Sequence, residues 1–165
     1  MSIQSIAHSI QMLPMMTSVR ESTLAYPIII STHLACIALC GGMILMTNLR
    51  LLGLAFTNYS VTDIVKGLRP FKHTGLLVII ICGLLLGTAE AEKYYANPFF
   101  HVKMTMLLLA IVHAFYFRAS VYKNTEALDR APTPPGAAKA AAILSSVIWI
   151  TIACMGRLIA YYEVK

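Results

Sequence analysis

Charge is scarce in this chain. Only 12% of its 165 residues are Asp, Glu, Lys or Arg, and the acidic ones number seven. Soluble domains carry about twice that charged fraction. One compact membrane domain, residues 1–165, fits the length and leaves no room for a second, soluble one. Catalytic signatures are missing as well. There is no Ser-His-Asp pattern, no pair of buried carboxylates, no phosphate-cradling glycine loop and no zinc spacing. Hydrolysis and phosphoryl transfer are therefore not expected. Residues 1–16 show neither a positive start nor a compact apolar block, so no cleavable signal is expected and the spans would direct insertion. The four cysteines (Cys36, Cys40, Cys82, Cys154) all fall inside apolar stretches. That placement argues against a disulfide framework and for packing thiols or soft ligands.

Apolar residues make up 58% of the chain, with a mean hydropathy of +0.73. They gather in stretches at about 26–48, 73–90, 98–122 and 140–161. Each approaches or exceeds the roughly 20 residues that cross about 30 Å of hydrocarbon. Pro27 suits the first turn of a helix, Asn97-Pro98 is a cap followed by a first helical position, and Pro132-Thr133-Pro134-Pro135-Gly136 is a breaker. Ile3, Ile6, Ile10 and Leu13 recur at spacings of three and four. Residues 3–16 therefore read as a short amphipathic helix on the membrane surface, followed by a polar joint from Thr17 to Thr23. The expected fold is all-α and integral to the membrane: a four-transmembrane-helix bundle with an N-terminal surface helix.

The net charge of +6 has a membrane explanation and needs no nucleic acid. The first connection holds Arg50, Lys66, Arg69 and Lys72 against Asp63, and the third holds Arg118, Lys123, Arg130 and Lys139 against Glu126 and Asp129. The second holds Glu90, Glu92 and Lys93. Positive loops stay in the cytoplasm, so both termini should face the periplasm across a bacterial inner membrane. Tyr26, Tyr94, Tyr95, Tyr161 and Tyr162 would then share the outer interface, where tyrosine is favoured.

Four of the five histidines lie in or at the edges of these spans: His33, His73, His101 and His113. An ionisable group in hydrocarbon costs at least a few kcal/mol unless it has a partner. Neutral imidazole is a common axial ligand to haem iron. By depth the rings sort into an outer pair, His33 and His101, and an inner pair, His73 and His113. His101 and His113 are twelve residues apart, which gives about 18 Å of rise and leaves the rings roughly 120° apart around the axis. The expected cofactor is b-type haem, one or two, ligated by these pairs. Lys103 and Arg157 on the outer side, and Arg50 and Arg118 on the inner, are candidate partners for propionates. Snorkelling to the interface is the ordinary reading of Arg50 and Arg118, and His73 and His101, at span ends, equally suit the headgroup layer. The function expected is electron transfer within or across the membrane, between the quinone pool and a periplasmic cytochrome or a larger respiratory complex. Such a component would act as an oligomer or subunit and not as a stand-alone enzyme. Two alternatives remain. His33, Cys36, Cys40 and Met43 share a helix face and, with Met104 and Met106, offer copper(I) soft ligands. A cofactor-free accessory subunit would bind neither.

Arg20-Glu21-Ser22-Thr23 with Tyr26-Pro27, then His33, then Leu49-Arg50-Leu51-Leu52-Gly53, Gly83-Leu84-Leu85-Leu86, and Asn97-Pro98-Phe99-Phe100 with Lys103 form an ordered set. It resembles a bacterial family of small four-helix membrane proteins without an established activity, over roughly residues 18–118. The resemblance implies four spans and picks out His33. Position 113 is often Asn in that family, and 73 and 101 need not be His. In layout the chain also resembles di-haem membrane cytochromes b and, more distantly, copper-resistance membrane proteins.

Overall fold

Backbone groups inside hydrocarbon find no water, so a span must satisfy them within itself. The chain does this with helices alone: no strand occurs among the described residues. The computed structural model describes residues 3–120, 125–131 and 133–162, without the side chains of 118–120. In chain order the helices are α1 (Ile3–Gln11), α2 (Pro14–Glu21), α3 (Ala25–Leu52), α4 (Val61–Ala89), α5 (Ala91–Tyr95), α6 (Pro98–Ser120), α7 (Thr125–Arg130) and α8 (Gly136–Ile159). Of these, α3, α4, α6 and α8 are long and apolar enough to cross a membrane.

Most boundaries have a local cause. α3 stops at Gly53, whose φ of 75° lets Gly53 N–H and Leu54 N–H bond back to Arg50 and Leu49. α4 starts at Val61, well before the expected His73. The Ser60 hydroxyl accepts from Asp63 N–H at 2.9 Å, and the Asp129 carboxylate of α7 accepts from Val61 N–H at 2.6 Å and Thr62 N–H at 3.1 Å. With its first turn capped twice, α4 runs through Pro70 without ending. The expected surface helix is divided: Pro14, which has no N–H, opens α2, and α2 absorbs most of the residues read as a polar joint.

α3 packs on α4 and α8, and α8 packs on α6, whereas α6 stands off from α3 and α4. This leaves a gap between α4 and α6. α1, α2 and α5 close one end of the bundle, here the capped end. His8 Nδ1 lies 2.8 Å from Glu92, Gln11 bonds to the same residue, and Arg20 donates to the Ala89 carbonyl at 3.3 Å. Ile3 and Ile6 stay exposed, as a helix resting on lipid requires. Asn97 ties two spans together at this end. It is fully buried, its Oδ1 accepts from Phe99 and Phe100 N–H, and its Nδ2 donates to the Ile159 carbonyl at 3.2 Å. At the other end, the α7 end, Leu51, Val61, Phe117, Leu128, Ala138 and Ala142 form the core. The two alanines let α8 approach closely.

Candidate functional site

α6 is apolar on every side, so its sequence gives no face; packing alone decides which of its side chains turn inward. His33 on α3 and His113 on α6 face the interior, while His73 on α4 and His101 on α6 are exposed. His101 Nε2 bonds to the Tyr95 carbonyl at 2.7 Å. Each expected haem pair therefore combines one inward ring with one outward ring. His8, outside the spans, holds Glu92.

His33 is 9% exposed and sits toward the capped end. A Cβ at Gly83 would lie 3.1 Å from its Cε1, so a side chain there would push the ring by a few tenths of an ångström. The Ile79 backbone faces the ring, and Lys103 acts on it electrostatically from α6. Nδ1 is buried and has no hydrogen-bond partner. Lys103 crosses to α8, where a Cβ at Gly156 would stand 3.5 Å from Nζ. No carboxylate pairs with Lys103 among the described residues.

The second site lies toward the α7 end. A cavity of about 230 Å³ opens among α3, α4, α6 and α8. Its walls are mainly apolar, with Leu76, Ile111, Ile148, Trp149 and Phe117 among them. Its polar groups are Thr47, Asn48, Lys72, His113 and Ser145. The Lys72 ammonium donates to Thr47 Oγ1 at 3.4 Å, and Asn48 donates to Ser146 Oγ at 3.0 Å. The His113 ring stacks on Phe117 with centroids 5.4 Å apart, and its buried Nε2 has no partner.

The remaining candidates are more ordinary. Arg157 donates to the Tyr161 hydroxyl at 2.6 Å and lies over that ring, 4.8 Å from its centroid. Arg50 donates to the Tyr59 carbonyl at 2.6 Å. The Arg118 side chain lies outside the described residues. Among the described residues no three His, Cys, Asp or Glu gather as a metal-binding group. Of the proposed copper face, Cys40 is packed against Gly75 and His33 against Gly83.

Sequence reading passed over Lys72, Thr47, Asn48, Ser145 and Trp149 as site residues. A faint signal existed: Thr47-Asn48 and Ser145-Ser146 are polar pairs within otherwise apolar runs.

Among known families, one described as a family of unknown function (DUF6644) has a model that matches residues 23–162, which takes in all four spans. No curated protein and no solved structure matches the chain.

Proposed function

The chain belongs to this family of unknown function, and from its own residues we propose that it carries electrons within the membrane on a single b-type haem held by His33. One observation carries the reading: a buried imidazole whose Nδ1 has no partner, inside a membrane-spanning bundle. A ligating histidine commonly turns its second nitrogen to a backbone carbonyl, and the Ile79 backbone faces this ring. Lys103 would meet a propionate with its charge. Gly83 and Gly156 keep the helix surfaces low around the two side chains. The haem would supply one-electron chemistry; the chain supplies burial, orientation and charge. His113 is given a separate role, since it lines a cavity of about 230 Å³ that suits a single ring.

Lys66, Arg69, Lys72 and Lys139 lie toward the α7 end. The positive-inside rule would put that end in the cytoplasm of a bacterial inner membrane, with both termini outside. Electrons would then leave at the capped end toward a periplasmic carrier or a larger complex.

The test is the spectrum of detergent-purified protein from haem-replete cells. The expected result is a Soret band with a reduced alpha band, both lost in His33→Ala and kept in His73→Ala and His101→Ala. Colourless protein with stoichiometric copper, or with neither cofactor, would sink the haem assignment in favour of a copper protein or an accessory subunit.

A further inference from the structure

We propose that the cavity at the α7 end binds the head group of a lipid-soluble quinone, with its tail leaving through the gap between α4 and α6. A cavity of about 150 Å³ accepts a benzene ring, so about 230 Å³ holds one substituted ring. Leu76 on α4 and Ile111 on α6 both line the cavity and are 41% and 49% exposed. They form a rim on two helices that have few or no close backbone contacts with each other among the described residues, and on membrane spans such a rim faces lipid. A ligand entering there arrives dissolved in the bilayer.

Polar chemistry narrows the class. His113 brings a bare Nε2 from α6, and Lys72 brings an ammonium from α4 whose recorded bond is a long one to Thr47. No carboxylate pairs with Lys72 among the described residues. In its Nε2–H tautomer His113 donates, and with the Lys72 ammonium on another wall of this apolar chamber it matches a flat ring with carbonyl oxygens at both ends. A fatty acid is the obvious competitor, since its carboxylate would satisfy Lys72. It would leave Nε2 of His113 buried and unmatched, a cost that the quinone removes. The inference needs no haem: its residues are separate from His33 and Lys103.

The chain provides its own reporter. Trp149 is the only tryptophan and lines the cavity. The protein in lipid nanodiscs would be titrated with a decyl-tailed dimethoxybenzoquinone while Trp149 fluorescence is followed. The expected result is saturable quenching. Half-saturation should weaken about tenfold in His113→Leu, as fits one lost buried hydrogen bond. It should weaken at least as much in Ala114→Phe, which fills the chamber with an apolar group. Circular dichroism and gel filtration establish that each variant is folded. His33→Ala should lose porphyrin absorbance and keep the quench, so the two readings fail separately. Quenching that merely rises with quinone in the bilayer, identically in both cavity variants, would overturn the proposal. So would displacement of a bound fluorescent fatty acid by decanoate but not by the quinone.

Discussion

The two ends of the bundle hold the same residue types in different states of closure. Each has an inward histidine with a buried, unpartnered nitrogen and a lysine from another helix with no carboxylate partner among the described residues. Toward the capped end α4 presses its backbone at Gly83 against His33. Toward the α7 end the same four helices part around His113 and leave about 230 Å³. A closed site suits a group installed once and retained; an open one, rimmed by lipid-facing side chains, suits a ligand that comes and goes. Composition is shared, and packing assigns the role.

The sharpest way to break this contrast is Gly83→Val. The new side chain must occupy the space of the His33 ring, at an overpacking cost of about 1–3 kcal/mol. Porphyrin absorbance per protein should fall by about 90% or more, because a cost of that size can displace the ring altogether. Gly87→Ala, facing open space, should leave absorbance unchanged and raise the thermal midpoint slightly, as alanine favours the helix over glycine. Next comes the exchange of lysines. Lys72→Met should weaken quinone quenching about tenfold and spare the haem bands, and Lys103→Met should do the reverse, lowering haem retention several-fold. If either variant affects both readouts alike, the two ends are not independent.

A smaller effect concerns the cap of α4 at the α7 end. Burial raises the affinity of the Asp129 carboxyl for a proton, but hydrogen bonds from the Val61 and Thr62 backbone outweigh it, with the neighbouring Thr62 hydroxyl and the Arg50 charge adding to the effect; the result is a value below the usual carboxylate range. A depressed native value stabilises the fold above the unfolded value of about 3.9 and ceases to do so as acid protonates the native carboxylate. The thermal midpoint should therefore drop below about pH 4, and Asp129→Asn should flatten that part of the profile. At neutral pH the same variant should cost about 1 kcal/mol, the worth of a helix cap. The smallest effect is expected for Arg157→Gln. An exposed guanidinium lying on Tyr161 contributes little to either site, and both readouts should stay within error.

Much of the fold was legible because hydrocarbon imposes a length and forbids open backbone. Asn97-Pro98 marked a helix start by its own chemistry, whereas the glycine cap at Gly53 was passed over and the first span was ended at about residue 48. The early start of α4 was legible too, since Ser60-Val61-Thr62-Asp63 is a capping pattern, but Pro70 and the neighbouring charges read as loop. The direction of each histidine was not. Apolar residues surround α6, so periodicity distinguishes no face, and inward or outward depends on which neighbour arrives. The chamber was illegible for the same reason: Thr47, Lys72, His113 and Ser145 meet only because α8 bridges α3 to α6.

Asn97 serves the start of one span and the finish of another with a single side chain. During synthesis its amide waits without its partner carbonyl until α8 has been threaded. A slip of α8 by one residue would withdraw the Ile159 carbonyl and strand a polar group in a dry core. The entry of α8 is thereby given a checkpoint: only the correct vertical alignment of α6 and α8 is rewarded, whatever the lipids around them permit.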